Sequence, residues 1–109
     1  MDSLTPPAAD TTEALGRRYG ADAIPPAGPW NETIAVMLDH RSVRSYKRDP
    51  LPPGTLETLI AAAQSAATSS NMQWWSAVAV TDPAKKKVLA EVAGGQKHIE
   101  QCPLFIAWV

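Results

Sequence analysis

The sequence predicts a mixed fold of helices and buried strands, and three observations carry that reading. Two short runs, Ala77-Val78-Ala79-Val80 and Leu104-Phe105-Ile106-Ala107-Trp108-Val109, are wholly apolar, the pattern of strands covered on both faces. Other stretches repeat apolar residues at helical spacing, most clearly Leu56, Leu59, Ile60, Ala63 and Ala67. Helix-start signals stand where that spacing needs them: Asn31 before Ile34, and Asp82-Pro83 before Val88.

Residues 1–30 differ from the rest. They hold five of the ten prolines (Pro6, Pro7, Pro25, Pro26 and Pro29) and many alanines. A Pro-rich stretch of low hydrophobicity cannot bury enough apolar surface to offset the entropy of ordering. We expect a mobile tail over 1–10, a short helix from Thr11 to Tyr19 capped by Thr11 or Thr12, and an extended, proline-stiffened arm over 20–30. This N-terminal extension is set apart from the domain proper at 31–109.

From Asn31 the pattern sharpens. Ile34, Met37 and Leu38 predict a helix ending near His40. Arg41 to Arg48 is basic, with Arg41, Arg44, Lys47 and Arg48 and no acid among them. Pro50, Pro52 and Pro53 stop any helix and open the next, since proline suits a first turn. That helix dissolves into Thr68-Ser69-Ser70-Asn71, residues that prefer loops. After the first strand, Asp82-Pro83 opens a helix through about Val92, with Ala84, Val88 and Val92 on one side and Leu89 beside them. Lys85, Lys86 and Lys87 read as its solvated face. Gly94-Gly95 ends it, one more helical turn spans Gln96 to Gln101, and the last strand follows Pro103. That strand has no polar exit, and without the tail roughly 80 residues remain, where a single core is marginal. The expectation is the front portion of a larger domain, its C-terminal half absent, rather than a small complete one.

Composition excludes several classes. Across 109 residues, 45% are apolar and 19% charged, an ordinary globular mix. The net charge is -1 and the pI about 6.1, so no basic field argues for nucleic acid or an anionic membrane. One cysteine excludes an internal disulfide framework and, with two histidines, argues against a zinc site. No apolar run is long enough to span a bilayer. Met1-Asp2-Ser3 is not the basic start of a secretory signal, so a cytoplasmic protein is expected.

Three motifs stand out. In His40-Arg41-Ser42-Val43-Arg44, two arginines three apart with an intervening serine could hold a phosphate, because guanidinium forks match its oxygens; a solvated basic turn is the competing reading. Thr68-Ser69-Ser70-Asn71-Met72-Gln73-Trp74-Trp75 offers amide groups for the polar edge of a planar ligand and flat apolar area beside them. Equally, it reads as a capped loop with two core tryptophans. Gly94-Gly95-Gln96-Lys97-His98 is a glycine turn and a polar triplet, neither a dinucleotide fingerprint nor a P-loop, with Lys97 and His98 open to a surface role. Cys102, beside Pro103, reads as a buried, inert thiol. No nucleophile–base set is evident, so difficult chemistry would need a cofactor.

In this order and separation the three motifs resemble the nitroreductase family of FMN-dependent oxidoreductases, and Gly-Gly-Gln-Lys-His points to its NADPH-dependent group A branch. The resemblance covers about Asn31 to Val109. It implies an α+β sandwich that forms an intimate homodimer with FMN at the interface. It also implies hydride transfer from NADPH through the flavin to a small-molecule acceptor such as a nitroaromatic, a quinone or free flavin. Residue by residue, His40, Arg41, Ser42 and Arg44 match positions that hold the ribityl phosphate. Ser69, Ser70 and Asn71 match the segment that reaches the partner's flavin, and Gln96 matches a contact near the ribityl chain and ring edge. No catalytic side chain is implied. Thr68 and Asn71 depart from the serine-rich pattern, and the family's second-half flavin contacts do not occur within these residues, so the 109 residues alone are expected to be inactive. Two other readings stand beside this one: a non-catalytic truncated fragment, and a small interaction module using the Pro-rich arm and the Trp74-Trp75 patch.

Overall fold

The structure, a computed structural model, describes residues 9–109; the expected mobile tail falls mostly on residues 1–8, outside the described residues. The described residues form two compact units that divide between Ser42 and Val43.

In the first unit, α1 spans Ala9–Tyr19 and α2 spans Glu32–Leu38. The first helix therefore begins two residues before Thr11, which is fully buried inside it rather than capping it. Gly20 ends α1 in the left-handed region, at φ 88°, with its N–H on the Gly16 carbonyl at 2.8 Å. The arm over residues 21–30 has almost no regular structure, as expected, yet it turns back on α1. A Cβ at Gly16 would stand 3.3 Å from Ile24 Cδ1, so only a glycine accepts that approach without the neighbour giving way. Asn31 caps α2 as its sequence signalled: its extended backbone (φ -149°) lets Oδ1 accept from the Ile34 N–H at 2.9 Å.

The second unit runs α3 (Thr55–Gln64), a 3-10 turn (Ser69–Asn71), β1 (Ala77–Val80), α4 (Pro83–Val92), α5 (Lys97–Gln101) and β2 (Phe105–Trp108). The prolines do not open α3; they lie in the turn before it. The Thr55 N–H and hydroxyl both donate to the Pro52 carbonyl, at 3.2 and 2.6 Å, and the helix starts after Gly54 at φ 84°. The helix also ends early, at Gln64, where the Ser65 hydroxyl takes the Ala62 carbonyl at 2.6 Å.

Helix α4 keeps its expected limits, with Pro83 first and the Asp82 carboxylate accepting from the Ala84 N–H at 3.3 Å. Its inward face is not the expected one. Val88 and Val92 are exposed, while Lys86 and Ala90 are buried and Leu89 is half-buried. The reason is the Gly94-Gly95 turn, with φ of 91° and 79°, which folds α5 back along α4. The Gly95 and Gln96 N–H groups both donate to the Ala90 carbonyl, at 2.8 and 3.1 Å. At the far end of the hairpin Lys86 Nζ donates to the Cys102 carbonyl at 2.6 Å, so this lysine is not part of a solvated face. The Cys102 thiol is buried and directed at the Ile99 carbonyl, 3.1 Å away, which matches an inert role.

Strands β1 and β2 pair antiparallel, Ala77 opposite Trp108 and Val80 opposite Phe105. Ser76 and Val109 extend the ladder with reciprocal bonds of 2.7 and 2.8 Å. Coverage on both faces is not met: Val78 and Trp108 are each more than half exposed. No helix among the described residues is long and apolar enough to cross a membrane.

Candidate functional site

The basic segment leaves α2 at Asp39, where the His40 N–H still donates to the Met37 carbonyl at 3.3 Å. Arg41 to Arg48 then runs without regular structure and is exposed at every residue, though Val43 and Tyr46 only in part. No acid lies within it, although Asp39 and Asp49 flank it on either side. Among the described residues, the Arg41 and Arg44 guanidiniums have no hydrogen bond or ion pair. Two uncommitted arginines three apart in sequence, with Ser42 between them, are residue types suited to a phosphate. His40, Arg41 and Ser42 belong to the first unit and Arg44 to the second. In the first unit His40 and Arg41 share a cleft of about 530 Å³ with Arg17, Arg18, Leu38 and Asp39. Sequence reasoning did not connect Arg17 and Arg18 with this place; the only signal was a pair of arginines in the last turn of a helix.

Ser69, Ser70 and Asn71 share one exposed turn of unusual backbone. Ser70, Asn71 and Gln73 all have positive φ, 53°, 52° and 50°, a conformation that favours glycine. Gln73 holds them there. Its Nε2 donates to Asn71 Oδ1 at 2.8 Å and to the Ala66 carbonyl at 3.4 Å, its Oε1 accepts from Trp75 Nε1 at 2.8 Å, and its N–H donates to Thr68 Oγ1 at 3.2 Å. The Gln73 amide is therefore spent inside the turn, while the Ser69 and Ser70 side chains stay exposed. The tryptophans divide: Trp75 is half-buried and packs edge-on against Trp108, centroids 5.5 Å apart, whereas Trp74 is 80% exposed.

Gln96 stands separately, at the N-terminal end of α5, its position set by the bonds to Ala90. Among the described residues no hydrogen bond joins it to the Ser69–Asn71 turn. Of the neighbouring residues, Lys97 is exposed, but His98 is half-buried. Its ring lies 6.5 Å from that of Tyr46, and both line a mainly apolar cleft of about 430 Å³ with Cys102, Phe105 and Ile106.

The described residues thus combine an α+β arrangement with a basic arginine segment, a polar left-handed turn and a glycine-turned helical hairpin. The nitroreductase family profile matches residues 37–107. The chain belongs to the nitroreductase family and has its fold. It is 43% identical to an FMN reductase [NAD(P)H] of Bacillus subtilis over 70% of this chain and 30% of that one. To an oxygen-insensitive NADPH nitroreductase of Salmonella typhimurium it is 39% identical, over 71% and 31%. Among solved structures it superimposes on the hypothetical oxidoreductase YcnD from Bacillus subtilis with a TM-score of 0.70 at 42% identity, over 72% of this chain and 32% of that one. The NADPH:FMN oxidoreductase from Vibrio harveyi complexed with NAD+ gives 0.68 at 37% identity, over 72% and 34%. The chain thus spans about a third of the length of the relatives it matches.

Proposed function

We propose that this chain contributes the phosphate-holding side of an FMN site in an oxidoreductase that moves hydride from NADPH to a nitroaromatic, a quinone or free flavin. The observation that carries the reading is the exposed, acid-free Arg41–Arg48 segment with two uncommitted guanidiniums, lying within the family match. The names of the relatives supply the cofactor and the reductant. Bound FMN would accept and pass on a hydride, chemistry that no side chain of this sequence provides.

The residues have separate tasks. Arg41, Arg44 and the Ser42 hydroxyl bind the ribityl phosphate, with His40 at the entry to the turn. Gln96 donates or accepts near the ribityl chain and ring edge, placed by a backbone tied to Ala90. Ser69, Ser70 and Asn71 serve the flavin of a second subunit, so the working form is a homodimer in the cytoplasm. Residues 1–30 stand outside the catalytic domain, and 31–109 alone do not complete the reaction, in keeping with a third of the relatives' length.

The test compares FMN with riboflavin, which lacks the phosphate, by quenching of flavin fluorescence on titration with the 109-residue chain. FMN should bind at least tenfold more tightly, about the value of one charge-assisted hydrogen bond. Equal affinity for the two flavins would remove the phosphate turn from the site.

A further inference from the structure

We propose that Arg18, in the N-terminal extension, is a positioning residue for the phosphate turn: it fixes the His40–Arg41 peptide plane so that the Arg41 N–H is presented to the anion. The inference rests on the reading of His40–Arg44 as a phosphate site.

Arg18 lies in the last turn of α1, outside the residues 37–107 that match the family, and its Nη1 donates to the His40 carbonyl at 2.9 Å. A trans peptide is planar, with its C=O and N–H pointing in opposite directions. Holding the His40 carbonyl toward α1 therefore turns the Arg41 N–H to the other side. Two electrostatic effects follow. A carbonyl oxygen left free to swing toward the phosphate would repel it; Arg18 engages that oxygen. The aligned N–H adds a fixed donor to the mobile Arg41 guanidinium, and a preset donor loses less entropy on binding. Arg18 also brings its own positive charge to the cleft that His40 and Arg41 line.

The neighbouring arginine does not do this. Arg17 pairs with Glu13 at 3.0 Å, an exposed contact one helical turn away. The anchoring of Arg18 is itself built: Leu15 is buried, and Ile24 closes over Gly16, so α1 is held by the folded-back arm. The preceding Asp39–His40 peptide is held separately, its His40 N–H donating to the Met37 carbonyl at 3.3 Å. The bond from Arg18 is therefore the contact that sets the His40–Arg41 peptide itself.

The experiment uses the full chain, with Arg18→Ala, Arg18→Lys and Arg44→Ala, titrated with FMN and with riboflavin. Arg18→Ala should weaken FMN about five- to tenfold, the scale of one ordinary net hydrogen bond, and leave riboflavin unchanged. Arg18→Lys keeps a cationic donor for the carbonyl and should stay within about twofold of the parent. In a parallel nitrogen-15 NMR titration with inorganic phosphate, the Arg41 amide should shift in the parent and in Arg18→Lys but not in Arg18→Ala. Equal loss of both flavins in Arg18→Ala, no loss of FMN, or an Arg41 amide that ignores phosphate in the parent would each overturn the role. If Arg44→Ala separates FMN from riboflavin and Arg18→Ala does not, only the role of Arg18 falls. If neither separates them, the cofactor reading falls with it.

Discussion

Arg44 and Arg48 carry the same charge four residues apart on one exposed segment, so an unspecific basic patch would use them alike. A defined phosphate site would not. Arg44→Ala should weaken FMN binding by about 1.5–3 kcal/mol, and Arg48→Ala should change it little. Flavin fluorescence titrations of the two variants measure this, and equal effects would make the segment a diffuse patch. Lys86 poses the opposite problem of a charge that is not on the surface. A run of three lysines reads as solvent-facing, and nothing local says otherwise. What buries Lys86 is the return of α5, which brings the Cys102 carbonyl to its Nζ from sixteen residues away. Lys86→Met keeps the apolar stem but leaves that carbonyl without its donor. The hairpin should then open more readily, and hydrogen exchange at the Gly95 and Gln96 amides should quicken by about tenfold or more. Unchanged protection would mean that the Ala90 bonds alone hold the turn.

At the level of elements, legibility follows how local the cause is. The Asn31 cap and the Asp82-Pro83 start were readable because each is set by neighbours within a few residues, and the two strands because each is a short unbroken apolar run. The site was legible in part: the arginine spacing marks the phosphate turn, but the link from Arg18 crosses twenty-two residues and has no local sign. The Ser69–Asn71 turn shows a third case. Serine and asparagine announce a loop, but three positive-φ residues without a single glycine do not follow from composition. Each such residue costs about 1–3 kcal/mol and persists only where its surroundings enforce it. Here the enforcement is the Gln73 side chain, which braces the turn, in keeping with the capped-loop reading of this segment. Gln73→Ala should release Trp75, and its indole N–H should exchange with solvent about tenfold faster or more, since its acceptor is gone. Ser70→Gly removes a strained Cβ and should leave that exchange as slow or slower. Faster exchange in Ser70→Gly would place the cause of the turn in the serine rather than in Gln73.

For the whole molecule the decisive quantity is how little the described residues bury. Leu15, Ala90 and Cys102 are the buried apolar residues, and α2, α3 and α5 contribute none. Meanwhile Val36, Trp74, Val92 and Val109 are each more than 70% exposed. The sheet adds to this surface. Among the described residues it has two strands, so each strand has an outer edge whose backbone groups lack a ladder partner, and Val78 and Trp108 stand open on the strands themselves. Short apolar strands with open edges pair with further chains, and a core this small leaves stability low. The 109-residue chain should therefore bind the dye ANS, melt over a broad range, and run as concentration-dependent associated species in sedimentation. Val78→Lys places a charge on the open β1 strand, where a lysine discourages edge pairing without disturbing the Asp82 cap of α4. It should shift the chain toward monomer, whereas Val36→Lys, on α2 in the other unit, should not. A parent chain that is monomeric, silent toward ANS and cooperative on heating would show that the core is larger than these burials indicate. Association unaffected by Val78→Lys would move the sticky surface away from the sheet, to Trp74 or the apolar cleft beside His98.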